Sequence, residues 1–170
     1  MAVTHLLAAG HGRIAFVGGP LSVRQVSDRR DGAMRALERV NRAGSGLYLV
    51  ETEALNAGSG QRAGATIADL PARLRPTGVF CANDLLALGV LREMTTRRIR
   101  VPDRAAIVGY DDVHFAAAAA VPLSSVRQPR QQLGRVAARL LIEETLGRST
   151  HQHRQIVFEP DLVVRASSSS

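Results

Sequence analysis

The chain has 170 residues, a length that suits one α/β domain with a sizeable core. Hydrophobic residues make up 45% of it and charged residues 22%, as in an ordinary globular protein. All 22 basic side chains are arginines spread along the chain, so the net charge of +7 indicates a GC-rich genome rather than a nucleic-acid-binding face. The single cysteine excludes an internal disulfide framework and predicts a cytoplasmic protein, and no apolar run approaches the roughly 18 residues of a membrane span.

Short apolar runs alternate with helical patterns along the whole chain. Strands are predicted at residues 14–17, 47–50, 79–81, 105–108 and 123–126, and helices at 4–9, 28–40, 61–70, 84–97 and 129–146. Residues 116–120 fit a helical turn or a loose loop. The chain closes with residues 155–158, a turn at 159–161 and residues 162–165, and the serines at 167–170 are predicted to be disordered. This alternation predicts an α/β fold, an open, mainly parallel sheet flanked by helices and joined by right-handed crossovers.

Polar side chains follow two of the predicted strands at the point where each strand ends. Asn83 and Asp84 follow the strand at 79–81, and Asp111 and Asp112 follow the strand at 105–108. Because the carboxyl ends of parallel strands line the ligand crevice of an open sheet, these side chains should cluster at one mouth. Short acids and amides there suit a polyhydroxylated or heterocyclic small molecule.

Three further residues have both a structural and a functional interpretation. Gly89 lies inside a predicted helix, which is explained if another backbone packs closely against it. Cys81 ends a buried strand and fits a small core residue better than a nucleophile. His151 and His153 have a spacing that metals use, but no acid or cysteine is near them in the sequence, so no metal site and no cofactor are predicted.

The order of these motifs resembles the effector-binding domain of LacI-type (lactose/galactose-repressor) bacterial transcription regulators. The matching segments begin with Gly10-His11-Gly12-Arg13-Ile14 and continue through Gly18-Gly19-Pro20, Arg29-Arg30-Asp31-Gly32, Asn83-Asp84, Val101-Pro102-Asp103, Val108-Gly109-Tyr110-Asp111-Asp112, Gln128-Pro129 and Leu162-Val163-Val164-Arg165. Each motif alone is weak, but the ordered set runs through the whole chain.

The resemblance implies a periplasmic-binding-protein-like fold of two subdomains with the effector between them. It assigns residues 1–13 to the end of the amino-terminal subdomain and a crossover, and residues 14–121 to the carboxyl-terminal effector-binding subdomain. Residues 122–150 would form a crossover and a helix of the amino-terminal subdomain, 151–166 would return to the carboxyl-terminal subdomain, and 167–170 would form a disordered tail. Members of the family also carry a helix-turn-helix headpiece that this chain lacks. We therefore expect DNA contacts only through segments outside the chain, and a homodimer for the full-length protein.

The resemblance also suggests ligand contacts at matching positions. Arg29 resembles an arginine that clamps effector oxygens, and Asp111 resembles an acid that accepts hydrogen bonds from the effector. Asn83 lies beside them at a neighbouring strand end, Gln128 is a candidate at the crossover, and Asp84 is either a ligand contact or a helix cap. An aromatic residue that stacks on the effector in some relatives is replaced by an aliphatic one near Leu55.

Three functional classes are compatible with these residues. The first is the sensing domain of a transcription regulator that couples binding of a sugar-like effector to DNA binding. The second is the sugar-binding protein of a transporter, against which the missing signal peptide and the ending of the chain argue. The third is a hydrolase that uses Asp111 and Asp112 with a metal, or Cys81 as nucleophile. No histidine lies at a comparable strand end to serve as a base, so an enzyme is not predicted.

Overall fold

The structure, a computed structural model, describes residues 1–40, 46–146 and 155–169. The helices are α1 Ala2–Ala8, α2 Arg24–Val40, α3 Ala57–Asp69, α4 Asp84–Thr96, α5 His114–Ala118 and α6 Arg130–Thr145. The strands are β1 Arg13–Val17, β2 Gly46–Val50, β3 Gly78–Cys81, β4 Ala106–Tyr110, β5 Ser124–Arg127 and β6 Asp161–Val163. The metal-spacing histidines His151 and His153 lie outside the described residues.

The described strands form one six-stranded sheet in the order β2-β1-β3-β4-β5-β6. Neighbouring strands from β2 to β5 are parallel, and β6 pairs with β5 in the antiparallel direction at one edge. The predicted α/β class with a mainly parallel sheet is therefore confirmed. The order reverses between β1 and β3, so the carboxyl ends of these two strands flank the crevice where open sheets of this kind bind ligands.

Helices cover both faces of the sheet because the chain moves in opposite directions after β1 and after β2. With right-handed crossovers, α2 then lies on one face and α3 and α4 on the other. The strands β1, β3 and β4 are buried almost throughout, as their continuous apolar runs predict. In the core the rings of Phe16 and Phe80 make an edge-to-face contact with centroids 5.5 Å apart.

The helices α3 and α4 cross so closely that only glycine fits at the contact. A Cβ atom on Gly89 would overlap the Ala57 carbonyl oxygen and lie 2.6 Å from the Gln61 nitrogen. On the facing helix, a Cβ atom on Gly60 would lie 2.8 Å from the Leu86 Cα. The predicted close approach of another backbone to Gly89 is confirmed.

Helix α1 differs from the prediction that residues 1–13 end the amino-terminal subdomain. Its buried residues Ala2, Val3, Leu6 and Leu7 belong to the same core as the sheet, and the helix contacts both α2 and β3. These four positions form one face of the helix, which explains why it packs on this sheet. The prediction for α1 is therefore wrong.

The serine tail also differs from its prediction. Ser167 and Ser168 are buried, and the Ser167 hydroxyl donates to the Ile107 carbonyl at 2.6 Å while accepting from the Ser124 amide at 2.8 Å. The Ser168 hydroxyl lies 2.8 Å from His5 Nε2. The tail supplies hydrogen bonds to backbone groups of β4 and β5, so the predicted disorder is wrong for these two residues. Ser170 is not among the described residues.

Helix α6 contrasts with the rest of the fold because none of its described residues is buried. Its exposed apolar side chains include Leu141 at 65%, Ile142 at 57% and Leu146, just after its end, at 64% of their full accessibility. This agrees with a helix whose packing surface is not the sheet described above. No helix in residues 1–40, 46–146 and 155–169 is both long and apolar enough to span a membrane.

Candidate functional site

Asp111 lies directly after β4, at the carboxyl edge of the sheet. Its φ angle is +107°, in the left-handed region, and its amide donates to the Val126 carbonyl of the neighbouring strand at 2.9 Å. The carboxylate is one-third exposed and therefore accessible to a ligand. Burial raises the pKa of the Asp111 carboxyl, and three groups oppose this change: the charge of Arg29, the hydrogen bond from Gln128 and the charge of Arg130.

Arg29 lies on α2 and reaches the same edge of the sheet. Its Nη1 donates to the Ala82 carbonyl just after β3 at 2.6 Å, and its guanidinium lies 3.7 Å from the centroid of the Tyr110 ring. Its Nη2 is 3.9 Å from Asp111 Oδ1, which is too long for a direct hydrogen bond. The hydrogen bond and the stacked ring fix the guanidinium plane beside the carboxylate of Asp111.

Gln128 approaches Asp111 from the end of β5. Its Nε2 donates to Asp111 Oδ1 at 2.9 Å, so one carboxylate oxygen faces both Gln128 and Arg29. Three predicted site residues from three separate elements therefore converge, and we call Arg29, Asp111 and Gln128 the carboxyl-edge triad. Beside it lies a cavity of about 210 Å³ whose wall includes Arg29 and Tyr110 together with mainly apolar side chains.

Asn83 lies at the same edge, but its side chain is used within the fold. Its Oδ1 accepts from the Leu86 amide at 2.9 Å and so caps α4, and its Nδ2 donates to the Leu55 carbonyl at 3.0 Å. Asn83 lies near the triad because the residue before it, Ala82, accepts a hydrogen bond from Arg29. The described hydrogen bonds of the Asn83 side chain go to Leu86 and Leu55 and not to the triad.

The Asp84 carboxylate is used within the fold and is not accessible to a ligand, so the prediction that it contacts a ligand is wrong. The residue is 1% exposed, its Oδ1 accepts from the Ser125 hydroxyl at 2.6 Å, and its Oδ2 accepts from the Val113 amide at 2.9 Å. It does not cap α4 either, since Asn83 does so. Burial raises the pKa of the Asp84 carboxyl, and the two hydrogen bonds oppose this change. Asp84 therefore joins α4 to β5 and to the loop after β4.

The hydrolase alternative depends on the Cys81 thiol or on the Asp111–Asp112 pair, and neither lies in an environment that suits this role. Cys81 is completely buried, and burial strongly raises the pKa of its thiol, which disfavours the thiolate. Asp111 and Asp112 are adjacent in the chain, but their carboxylates face different partners. Asp111 faces Arg29 and Gln128, whereas Asp112 Oδ1 is 2.7 Å from Arg165 Nη2.

Sequence reasoning missed the residues that hold the triad in place. Tyr110 supplies the ring under Arg29, and Ser125 donates to Asp84 from inside β5. The Tyr-Asp-Asp motif contained the signal for Tyr110, because the residue before a strand-end acid lies next to the crevice. Two successive serines at the start of a buried strand could have indicated Ser125, since buried hydroxyls need partners.

The family model described as a periplasmic binding protein-like domain matches residues 3–168. The chain belongs to this family. It is 34% identical to the transcriptional regulator MalR of Streptomyces coelicolor over 175 aligned positions and 30% identical to the repressor PurR of Haemophilus influenzae over 172. Each alignment covers 100% of the chain, which spans about half the length of these relatives, 49% and 50% respectively.

Solved structures confirm the resemblance to LacI-type regulators. A LacI-family regulator of Enterococcus faecium with bound ribose has a TM-score of 0.87 at 27% identity, covering 99% of this chain and 60% of its own. The lac repressor dimer bound to operator and the anti-inducer ONPF has a TM-score of 0.85 at 27% identity, with 99% and 56% covered. A LacI-family regulator of Lactobacillus casei with bound sucrose has a TM-score of 0.76 at 29% identity, with 96% and 63% covered. The chain thus corresponds to the carboxyl-terminal effector domain of these regulators.

Proposed function

We propose that this chain binds a small, polyhydroxylated, sugar-like effector at the carboxyl-edge triad, as the sensing part of a LacI-type transcription regulator. The observation that carries the proposal is the convergence of Arg29, Asp111 and Gln128 from α2, β4 and β5. All three lie at the edge where open parallel sheets bind their ligands.

The chemistry of the triad matches vicinal hydroxyl groups. Each hydroxyl both donates and accepts a hydrogen bond, so it fits between a carboxylate that accepts and a guanidinium that donates. Arg29 Nη2 and Asp111 Oδ1 are 3.9 Å apart, which is too far for a direct hydrogen bond between them. An effector hydroxyl that donates to Asp111 and accepts from Arg29 would complete the arrangement, and Gln128 would set the orientation of the shared oxygen.

The similar proteins support the same ligand class. Two of the structures reported above hold a sugar, ribose in one and sucrose in the other. The resemblance to LacI-type regulators puts Leu55, an aliphatic residue, near the position where some relatives carry an aromatic ring that stacks on the effector. We therefore infer that the ligand is recognised mainly by hydrogen bonds rather than by stacking on an aromatic ring near Leu55.

Calorimetric titration of the chain with ribose, glucose and sucrose tests the proposal. We expect saturable binding of at least one of these sugars. Arg29→Lys should weaken it at least tenfold, since an ammonium cannot stack on Tyr110 and also reach Ala82 and the ligand. The matched control is Arg30→Lys, because Arg30 also lies on α2 but pairs with Asp31 at 2.7 Å.

The control should leave the affinity within twofold of the wild type. Two results would contradict the proposed site. One is a chain that binds none of the sugars, and the other is sugar binding that survives both Arg29→Lys and Asp111→Asn unchanged.

We also propose that effector binding is coupled to operator affinity in the full-length protein, which we expect to be a homodimer. The support is the structure of the lac repressor dimer bound to its operator, which matches 99% of this chain. DNA contacts would then lie outside the chain. In a mobility-shift assay at physiological salt with excess competitor DNA, the chain alone should give no specific shift with any operator-like duplex, and a specific shift would contradict this placement.

A further inference from the structure

The turn that presents Asp111 has an unfavourable backbone conformation. Asp111 has φ +107° and Asp112 has φ +49°, so two successive residues other than glycine lie in the left-handed region. A side chain makes this region costly, and aspartate tolerates it better than most residues. Such a turn persists only when its surroundings hold it, so its contacts identify what fixes the position of Asp111.

Asp112 provides most of these contacts. Its carboxylate is only 10% exposed, with Oδ1 2.7 Å from Arg165 Nη2 and Oδ2 3.9 Å from Arg127 Nη1. Among the described residues Oδ1 accepts no well-aligned hydrogen bond, so its contact with Arg165 is an ion pair. The backbone carbonyl of Asp112 accepts from Arg130 Nη2 at 3.1 Å, and its amide donates to the Ser125 hydroxyl at 3.0 Å.

These partners stand on the two connections between the sheet and α6. Arg127 ends β5 just before the chain leaves the sheet, Arg130 is the first residue of α6, and Arg165 follows β6 after the chain has returned. Because α6 has no buried residue in the described structure, this helix is not held by the sheet itself. Asp112 therefore links the outgoing and the returning connection to the turn that carries Asp111.

We propose that Asp112 is a positioning residue of the ligand site: it holds the turn after β4 against both connections to α6, and thereby aims the Asp111 carboxylate at Arg29 and Gln128. The inference rests on the proposed function for its purpose, but its geometry can be tested without a ligand. Asp112 itself points away from the triad, toward Arg165. A change at Asp112 therefore acts on the site indirectly, through the turn that carries Asp111 and through the connection that carries Gln128.

The side-chain amide of Gln128 reports this positioning directly, because its Nε2 donates to Asp111 Oδ1. In ¹⁵N-labelled chain, we expect Asp112→Asn to shift the Gln128 side-chain resonances toward those of Asp111→Asn and to speed their hydrogen exchange at least tenfold. Asparagine keeps the shape and the tolerance for positive φ, so only the negative charge facing Arg165 is lost. Arg165→Gln, which removes the charge on the other side of the ion pair, should shift the same resonances in the same direction and serves if Asp112→Asn does not fold.

The matched control is Asp69→Asn, which breaks the ion pair between Asp69 and Arg97 far along the chain from the triad. It should leave the Gln128 resonances unchanged, with at most a small change in the melting temperature because the pair is partly exposed. The proposal is overturned if folded Asp112→Asn and Arg165→Gln both keep the Gln128 resonances and exchange rate of the wild type. Sugar titration of the same samples separates the two ideas. A wild type without sugar binding counts against the proposed function, whereas the Gln128 resonances alone decide the role of Asp112.

Discussion

Replacement of Gly89 by alanine should destabilise the fold even though alanine is the better helix former. Gly89 lies in the middle of α4, where the substitution by itself would gain about 1 kcal/mol. At this position, however, the added Cβ would overlap the Ala57 carbonyl oxygen and lie 2.6 Å from the Gln61 nitrogen and 2.8 Å from the Gly60 carbonyl carbon. These are backbone atoms, so no side-chain rotation relieves the contact and α3 must move.

The expected size follows from the two opposing effects. Overpacking a well-packed contact costs about 1–3 kcal/mol and occasionally more, and three backbone contacts place Gly89→Ala at or above the upper value. After subtraction of the helix gain, the free energy of unfolding should fall by about 2 kcal/mol. For a chain of this size that corresponds to a melting temperature about 4–8 °C lower.

Gly32→Ala is the matched control because it makes the same change inside α2. Its Cβ would meet only the end of the Arg35 side chain, at 3.8 Å. We expect this variant to be about 0.5–1 kcal/mol more stable than the wild type. Urea unfolding followed by circular dichroism measures both variants. A Gly89→Ala chain as stable as the wild type would refute the close α3–α4 contact as the reason for the glycine.

Three further predictions concern the buried polar groups. Ser167→Ala should lower the free energy of unfolding by about 2 kcal/mol, because it leaves a strand amide and a carbonyl unpaired. Ser169 is exposed, so Ser169→Ala should have little effect, and chemical denaturation compares the two variants. The Cys81 thiol should react with a chromogenic disulfide reagent no faster than the chain unfolds, and rapid reaction of the native protein would contradict its burial. Because burial raises the pKa of Asp84 in the folded state, its contribution to stability is largest at acid pH and is lost as the pH rises from about 4 through the folded pKa. The stability of Asp84→Asn relative to the wild type should therefore increase over that range, and a decrease in a pH series of urea unfolding would show the opposite sign.

The sequence predicted those features that depend on local pattern. Continuous apolar runs at β1, β3 and β4 indicate strands buried on both faces, and polar residues at their ends indicate the edge where Arg29, Asp111 and Gln128 meet. Strand bounds were close to those observed, because Gly and Pro punctuate the ends. The apolar pattern predicts a start of α2 at residue 28, four residues after the observed start at Arg24, because the segment before it carries few apolar residues.

Features that depend on distant partners were not predictable in the same way. The apolar face of α1 is compatible with packing on either subdomain. Only its contacts with α2 and β3 in the structure show which sheet it covers. Ser167 and Ser168 have the composition of a disordered tail, but the Ser167 hydroxyl bonds backbone groups of β4 and β5 and the Ser168 hydroxyl bonds the side chains of His5 and Ser124, all distant in sequence. Asp84 looked like a ligand or a cap because its partner, Ser125, lies 41 residues away. In each case the deciding interaction was a long-range hydrogen bond or contact.

The position of Gln128 connects the ligand site to the exposed helix α6. Gln128 binds Asp111 from the last turn of chain before α6, and Arg130 in the first turn of that helix binds the neighbouring carbonyl of Asp112. Since α6 exposes Leu141 and Ile142 and buries no residue here, its orientation must be set by whatever packs against that apolar face. A change in that packing would displace Gln128 and Arg130 together, and both are hydrogen-bonded to the turn that presents Asp111. By the same contacts, an effector bound to the Asp111 carboxylate beside Gln128 would act on the start of α6, and any such coupling between ligand occupancy and the packing of α6 would be equal in free energy in both directions.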